Sequence, residues 1–483
     1  MTKSIKTNYI YTISNTFLGL IFPLITFPYI SRVLQPEGIG LYNFYNSILS
    51  YVSLLANIGI SLYATRKIAQ HREDIQQRSK LTVEIFLLHL FTTVCAYISV
   101  FILDLCVSRI HENQLLFFVM SIGIILGPLS VNWFFQAIED FKYITIRSLG
   151  IKFISFILLF LCVKTRNDVI IYAVVVLIAN AGNYFFNIIH IRKYISLKKI
   201  RWRSLNVFRH LKPSLVLFIL NVIISIYVNL DSVMLGFIQS DVAVGYYSVA
   251  GKISHIILSM VTSLGIVLLP RFSYLLESKN YNEFNRLCRK SLDFTIGTSL
   301  PMVVCITLLA NPLIVYVFGD AYRASATTLQ FIAPIILFAG ITNVLGIQIL
   351  YPKGKENIVI YSTLGAALVN FTLNIIFIPI YSYNGAAAAT CFAEFIVLAL
   401  QLILGRKYLP NNLFTRSMLD YLLASVLMGI SIYTIMLIKL PLWLYIVMPA
   451  SVGLIIYYTV LLWRKNTLAV SSIRTIKTKI KWI

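Results

Sequence analysis

Long apolar stretches recur along the whole chain and are separated by short polar segments. Crossing about 30 Å of hydrocarbon at roughly 1.5 Å per residue takes around 20 residues in a helix, and the apolar stretches have this length. The pattern therefore predicts an all-α polytopic membrane protein of about 14 transmembrane helices. We place them at 8–30, 41–63, 81–103, 115–136, 146–163, 169–189, 214–237, 247–269, 292–318, 326–350, 358–380, 385–404, 417–438 and 442–463.

The composition agrees with this pattern. The chain has 483 residues, of which 58% are hydrophobic and 12% are charged, and its mean hydropathy is +0.82. A soluble fold of this size cannot hide that much apolar surface from water. Lipid must therefore be the solvent for most of the chain.

The charge distribution predicts the orientation in the membrane. The formal net charge is +23, and most basic residues fall in alternate segments between the predicted helices. Such an alternation marks the cytoplasmic side of a membrane protein, so we expect both termini in the cytoplasm and the anionic lipid leaflet as the partner of these charges. Because the basic clusters are short and lie between apolar spans, nucleic-acid binding is not expected. The largest clusters are Arg66–Lys80, Arg192–Lys212, Arg271–Lys290 and the tail from Arg464.

Two segments suggest an internal repeat. Leu34–Tyr42, after the first predicted helix, and Ile238–Tyr247, after the seventh, share the order Gln, acidic residue, Gly and Tyr. The pattern predicts two six-helix lobes in the same orientation and two further helices, while the alternative is that both segments are loops that share turn residues. The basic stretch between the lobes is expected to form an amphipathic helix on the inner leaflet. The predicted parts are an N-terminal lobe at 1–190, the linker at 191–213, a C-terminal lobe at 214–405, additional helices at 406–463 and a cytoplasmic tail at 464–483.

Polar residues recur on one face of several predicted helices. Lipid cannot satisfy their amides and hydroxyls, so they should face water or a polar ligand, or else hydrogen-bond between helices. Their placement in equivalent helices of both lobes favours a shared central cavity. Its candidate lining residues are Asn15 and Thr26 in the first helix, Asn180 and Asn183 in the sixth, Asn221, Ser225 and Asn229 in the seventh, and Asn370 and Asn374 in the eleventh.

Ionisable residues within the spans are a sharper signal, because an uncompensated charge in mid-membrane costs at least about 2.5–3.5 kcal/mol. Asp231 and Lys252 are the leading candidates for the cavity, and Asp231 and Glu394 are candidates for ion coupling. Lys152 and Lys252 lie near the inner ends of their helices, where the alternative is that they extend to the interface. Arg32 is a candidate phosphate contact or an interfacial anchor.

The sequence shows no catalytic constellation. Its six cysteines and six histidines are dispersed, without CxxC or HExxH spacing and without a glycine-rich phosphate loop. The predicted outer loops are also too short for a separate active domain. We therefore expect neither a metal, nor an organic cofactor, nor enzymatic activity.

Short segments along the chain carry a resemblance to a known family. They are Thr26-Phe27-Pro28-Tyr29, Leu34–Tyr42, Asp231 with Met234-Leu235-Gly236, Gly245–Ala250, Phe318-Gly319, Leu345–Leu350, Asn370 with Asn374, Ile378-Pro379 and Gly385–Thr390. In this order they resemble the polysaccharide or O-antigen flippases, the oligosaccharide branch of the superfamily that also contains the MATE multidrug exporters. The resemblance covers nearly the whole chain.

This resemblance implies a fold and an activity. The fold would be two six-helix lobes around a V-shaped cavity, as in MATE-like proteins. The activity would be export of an undecaprenyl-pyrophosphate-linked oligosaccharide repeat unit, for O-antigen, capsule or exopolysaccharide, to the outer face of the bacterial inner membrane by alternating access. Glycosyltransferases and a polysaccharide polymerase would be partners, and an H⁺ or Na⁺ gradient could drive transport. Members are thought to use a cationic lumen, for which this chain offers Arg32, Lys152 and Lys252.

Three other functions stay open at this point. A cation-coupled multidrug exporter and a lipid II flippase would use the same fold. A membrane-embedded polymerase or glycosyltransferase belongs to another class, but such enzymes usually bring a large external loop or an acidic catalytic pair, and neither is visible in the sequence.

Overall fold

The computed structural model describes residues 5–196, 198, 200, 202–411, 413, 415–438, 441, 443–466 and 469–470. Within some helices the side chains lie outside this description, and those of the candidate residues Asn15 and Asn221 are among them. All regular elements in the described residues are helices, which confirms the predicted all-α class. The chain divides into two compact units, Met1–Gly236 and Phe237–Ile483. The predicted lobe and linker boundaries stay a prediction.

The first unit contains nine of the helices described. They are α1 (Ile5–Asn57), α2 (Ile60–Ala69), α3 (Ile75–Cys106), α4 (Ser108–Glu112), α5 (Gln114–Ile125), α6 (Asn132–Ala137), α7 (Phe141–Cys162), α8 (Val169–Ile191) and α9 (Leu211–Ile238), of which the last two residues of α9 belong to the second unit. The second unit continues with α10 (Asp241–Glu277), α11 (Tyr281–Phe318), α12 (Ser325–Ile332), α13 (Ile335–Asn343), α14 (Glu356–Gly405), α15 (Ser417–Met436) and α16 (Leu444–Trp463). Between α13 and α14 the chain passes through a π-helix, Val344–Leu350.

Ten helical segments in the described part of the chain are long and apolar enough to cross a membrane, or eleven if a pair bent by 45° within Gln114–Ala137 counts as one. The protein is therefore a multi-pass membrane protein. The predicted number of 14 stays a prediction, because α1 and α14 each run through two of the predicted spans. Both helices are broken inside, at Gln35 with φ 61° and at Ser382 with φ 50°. At the first break Pro36 lacks the N–H that a continuous helix requires.

Side-chain size shapes the close contacts of the first unit. Gly236 in α9 lies against Phe44 in α1, and a Cβ at Gly236 would be 2.0 Å from Cδ2 of that ring. Phe44 is fully buried, and the guanidinium of Arg109 lies 4.5 Å from its ring centroid. Only glycine fits here, so this contact fixes where α9 crosses α1.

The segment between α8 and α9 differs from the predicted amphipathic helix. In the described residues between Ile191 and Leu211 the chain forms turns and 3₁₀ segments, among them Trp202–Ser204 and Val207–His210. Tertiary hydrogen bonds account for the difference, because this segment is tied to α3 by a buried carboxylate.

That carboxylate belongs to Glu84, which is fully buried in α3. Its Oε1 accepts the backbone N–H of Asn206 at 2.8 Å, and its Oε2 accepts Nη2 of Arg209 at 2.5 Å. Nε2 of His210 lies 2.9 Å from Oε2, and Nδ1 of the same ring lies 2.7 Å from the hydroxyl of Tyr63 in α2. We call these five residues the linker latch. It pairs a buried charge with donors, as burial of a carboxylate requires.

Candidate functional site

A polar cleft lies inside the first unit, between α1, α5, α6 and α8. Its volume is about 480 Å³. Amide and hydroxyl groups supply its polar lining, and small and apolar residues of α5 and α8 supply the rest. The polar lining residues are Tyr42, Asn46, Ser50, Ser53, Asn132, Asn180 and Tyr184.

The stripe on α1 follows from helix geometry. Tyr42, Asn46, Ser50 and Ser53 are four, four and three residues apart, so they lie on one face of the second half of α1. Ser50 donates its hydroxyl to the carbonyl of Asn46 at 2.7 Å, which satisfies it within the helix. The amide of Asn46 and the phenol of Tyr42 remain as the larger polar groups of this wall.

A half-buried arginine supports the opposite end of the cleft. Arg147 of α7 donates from Nη2 to Oδ1 of Asn132 at 2.9 Å and from Nε to Oδ1 of Asn183 at 3.1 Å. Nδ2 of Asn187 also lies 3.2 Å from Oδ1 of Asn132. Because the carbonyl of the Asn132 amide is occupied by these donors, its NH₂ group is the part that is left to donate. The ring of Tyr143 lies 5.1 Å from the guanidinium carbon and completes the surroundings of the charge.

Two of the predicted cavity residues in the sixth span are brought to this site. Asn180 is exposed and lines the cleft, whereas Asn183 is buried and accepts from Arg147. In α1, Thr26 is buried and donates to the carbonyl of Phe22 at 2.9 Å. Arg32 is exposed near the break in α1. Neither of these last two residues lines the polar cleft.

The candidate lysine of α7 meets the first half of α1. Nζ of Lys152 lies 3.7 Å from the position that a Cβ would take at Gly19. Gly19 belongs to the face of α1 that carries the predicted polar stripe, so the lysine is directed towards another helix. Its partial burial agrees with that placement.

The candidates on α9 form local contacts. Nδ2 of Asn229 donates to the carbonyl of Ser225 at 3.1 Å and lies 3.2 Å from its hydroxyl. Asp231 is buried, with 2% exposure, and interacts electrostatically with Tyr51 of α1.

The candidates in the second unit form a buried network. Nδ2 of Asn374 donates to Oδ1 of Asn370 at 3.1 Å, and Nδ2 of Asn370 lies 3.5 Å from the hydroxyl of Thr390. Tyr247 of α10 reaches the same hydroxyl at 3.3 Å. Both asparagines are fully buried. Because Tyr247 and Asn370 both reach the hydroxyl of Thr390, the network joins α10 to the two halves of α14.

The remaining ionisable candidates of this unit are more accessible. Lys252 is exposed and Glu394 is half-buried. In the described residues no three His, Cys, Asp or Glu side chains are grouped so that they could hold a metal ion. The roles of all these candidates in substrate or ion binding stay predictions.

Sequence reasoning missed two features of the cleft. Arg147 is not among the candidates from the sequence, yet it lies in the second turn of α7 and holds two asparagines. The polar stripe of Tyr42, Asn46 and Ser50 was overlooked, although its helical spacing is visible in the sequence. The same test of polar positions at 100° per residue that found the other stripes would have found this one.

Two family profiles match the chain. The family described as "Polysaccharide biosynthesis protein" matches residues 5–276, and the family described as "Lipid II flippase MurJ" matches residues 143–460. Each match covers more than half of the chain. Among curated relatives, the "Putative O-antigen transporter" of Escherichia coli (strain K12) is 26% identical over 416 residues, covering 84% of this chain and 97% of the relative.

Solved structures show the same fold. A structure of lipid II flippase MurJ in an inward closed conformation has a TM-score of 0.75 at 15% identity, and covers 95% of this chain and 100% of its own. An inward-facing multidrug resistance MATE family transporter of the MOP superfamily has a TM-score of 0.64 at 12% identity, and covers 82% of this chain and 97% of its own. These likenesses confirm the MATE-like fold expected from the sequence. With its profile matching over half the length, the chain belongs to the polysaccharide biosynthesis protein family.

Proposed function

We propose that this protein is a flippase that carries a lipid-linked oligosaccharide from the inner to the outer face of a bacterial cytoplasmic membrane by alternating access. The observation that carries the proposal is the polar cleft of about 480 Å³ inside a bundle of apolar helices. A cleft of this kind offers hydrogen bonds to a polar cargo at a depth where lipid offers none. The family and the O-antigen transporter relative support the same class of cargo.

The chemistry of the lining suits a sugar. The side chains of Asn46, Asn180 and Tyr184 present amide and phenol groups, which can both donate to and accept from sugar hydroxyls. No carboxylate is among the described lining residues, so these residues give a cationic drug no counter-charge. This distinguishes the proposed cargo from that of a cation exporter.

The membrane setting and partners follow from the same proposal. The substrate would be an undecaprenyl-pyrophosphate-linked repeat unit in the bacterial inner membrane, with both termini of the protein in the cytoplasm. Glycosyltransferases that complete the unit on the inner face and a polymerase that uses it on the outer face would be functional partners. No organic cofactor is needed, and an H⁺ or Na⁺ gradient acting through Asp231 or Glu394 would supply the driving force.

The proposal is tested in cells that lack the gene. Without the protein, the repeat unit should disappear from the outer face and its lipid-linked form should accumulate inside, as measured by labelling of intact cells and extraction of the lipid intermediates. The gene is then returned as wild type, Asn46→Leu or Asn180→Leu. Loss of about two hydrogen bonds of about 1 kcal/mol each should lower the export rate by roughly tenfold or more.

Asn43→Leu is the matched control. Asn43 lies in the same helix, donates to the carbonyl of Ile39 at 2.9 Å and does not line the cleft. It should export normally. Normal surface display in the deletion strain would refute the proposal. Greater drug sensitivity without loss of display would instead indicate an exporter, and loss of viability with depleted peptidoglycan would indicate a lipid II flippase.

A further inference from the structure

A second cleft lies between α7 and α8, and it shares no described lining residue with the polar cleft. Its volume is about 510 Å³. It lies where α7 begins and α8 ends, and these antiparallel ends are the ones that the positive-inside pattern assigns to the cytoplasm. We call it the α7/α8 groove. One end is polar, and the remainder is lined by Ile146, Gly150, Ile151, Ile154 and Phe186.

The apolar part of the groove has the dimensions of a lipid chain. Ile146, Gly150 and Ile154 are spaced by four residues and therefore follow one face of α7, over about 12 Å at roughly 1.5 Å per residue. This length approaches the roughly 15 Å of hydrocarbon in one leaflet. Gly150 leaves open space beside α7, because a Cβ there would meet nothing within 4 Å. Ile146, Ile154 and Phe186 are 55%, 49% and 47% exposed, so the groove is open.

The polar end of the groove carries positive charge. Lys142 is exposed in the first turn of α7, and Arg147 lies on the same wall. The nearby carboxylate of Asp140 accepts the hydroxyl of Tyr194 at 3.0 Å and lies 3.5 Å from Nε2 of His190. Burial and this hydrogen bond raise the pKa of Tyr194 to about 12, which keeps the phenol a donor. Asp140 therefore has its own partners in Tyr194 and His190.

The guanidinium of Arg147 is also incompletely satisfied. Its Nε and Nη2 donate to Asn183 and Asn132, whereas its Nη1 is buried and has no hydrogen-bond partner within the described part of the chain. A buried donor without an acceptor is unfavourable. Arginine favours phosphate oxygens as acceptors, and a phosphate at the polar end of the groove would lie beside this side chain.

We propose that the α7/α8 groove binds an anionic phospholipid of the cytoplasmic leaflet. Its phosphate lies at Lys142 and Arg147, and one acyl chain follows the face of Ile146, Gly150 and Ile154. The long apolar wall requires a lipid and not a free anion, and the two cations select a lipid with net negative charge. This binding does not depend on transport.

The site also has a consequence for the polar cleft. Arg147 lines the groove, and its guanidinium holds Asn132, which lines the cleft, through a hydrogen bond of 2.9 Å. A lipid phosphate that draws on the same guanidinium would strengthen or loosen that bond. The bound lipid is thus placed to adjust the cleft from the outside of the bundle.

The experiment measures lipid binding to the purified full-length protein by native mass spectrometry. The protein is titrated with phosphatidylglycerol or with phosphatidylcholine of the same chains, and a third arm adds inorganic phosphate as a competitor. Phosphatidylglycerol should bind at one saturable site at least about tenfold more tightly than phosphatidylcholine, a ratio that corresponds to about 1.4 kcal/mol. Inorganic phosphate at millimolar concentration should not displace it.

Three variants test the position of the lipid. Lys142→Gln removes one cation and should weaken phosphatidylglycerol about tenfold. Gly150→Leu places a side chain in the groove and should weaken both lipids. Lys193→Gln is the matched control, because Lys193 is exposed just beyond α8 and does not line the groove. Gel filtration and circular dichroism check the fold of each variant, and Lys142→Gln, at an exposed position, carries the test if Gly150→Leu does not fold.

Several results would overturn the proposal. Equal affinity for the two lipids would remove the role of charge, and displacement by inorganic phosphate would remove the role of the chain. Equal weakening by Lys193→Gln and Lys142→Gln would indicate general surface attraction. Tight binding that Lys142→Gln leaves unchanged would place the lipid elsewhere.

Discussion

Replacing Glu84 by Gln should release the segment before α9 from α3. Glutamine keeps the size of the side chain but loses its negative charge, and it places an NH₂ group among donors. In the linker latch the carboxylate accepts from the backbone of Asn206 and from Arg209, and it lies 2.9 Å from His210. At least one of these donors would lose its acceptor.

The magnitude follows from burial. Removing one partner of an enclosed ion pair costs about 3–5 kcal/mol, because the other charge is left unpaired. Glu84 is fully buried, but the side chain of Arg209 is 42% exposed and can recover part of its hydration. We therefore expect the free energy of local opening of this segment to fall by about 2–3 kcal/mol. Expressed as a local opening equilibrium, this is an increase of about 30- to 150-fold.

Hydrogen exchange of the backbone amides at 205–212 measures this opening directly. The amide of Asn206 should show the full increase, since it donates to the lost carboxylate. Glu73→Gln is the matched control, because that carboxylate is 91% exposed and pairs with Arg72 at 3.3 Å on the surface. It should leave the exchange unchanged. Protection in Glu84→Gln equal to that of the wild type would refute the role assigned to the latch.

Three further results are expected. Burial holds the pKa of His210 below its ordinary value of 6.5 and outweighs the attraction of the latch carboxylate, so the unfolded segment binds the proton more readily. The latch should be most stable above pH 6.5 and should loosen as the pH falls through the lowered pKa, and His210→Gln should flatten this dependence in hydrogen exchange corrected for intrinsic rates. Gly236→Ala should lower the stability of the detergent-purified protein by about 1–3 kcal/mol because of its clash with Phe44, and Phe44→Leu in the same chain should restore part of the loss in thermal unfolding. Gly385→Ala should be at least as damaging in the same assay, because its Cβ would lie 2.3 Å from the carbonyl oxygen of Phe377, a backbone atom that no rotamer change can move; wild-type unfolding midpoints for either glycine variant would contradict the packing described.

The sequence by itself was sufficient for the class of the protein, an all-α membrane protein with many apolar helical spans. Bilayer solvent imposes one length and one composition on every crossing, so apolar runs of about 20 residues can be located without knowing what they touch. The sequence also indicated the breaks in α1 and α14. The gap between the predicted spans 8–30 and 41–63 contains the break at Gln35, and the gap between 358–380 and 385–404 contains the break at Ser382. The family resemblance also rested on short local segments, such as Leu34–Tyr42 and Gly385–Thr390.

The site depended on information that the local pattern does not contain. A polar stripe has the same appearance in sequence whether it faces a cleft, as with Asn180, or closes a buried network, as with Asn370 and Asn374. The distinction depends on which helix lies opposite. Hydrogen bonding inside lipid is obligatory in both cases, so composition does not separate them.

The roles of the basic residues also depended on the tertiary structure. From the sequence, Arg147 and the basic residues before α9 are alike, as cations near a cytoplasmic surface. The fold turns Arg147 towards two asparagines and draws Arg209 to the carboxylate of Glu84, which replaces the expected amphipathic helix with a latched loop. Local sequence determines which segments enter the membrane, because that choice depends on transfer of each segment from water to lipid. Tertiary structure decides what each polar group does there, because in lipid its partner can come only from another part of the chain or from a ligand.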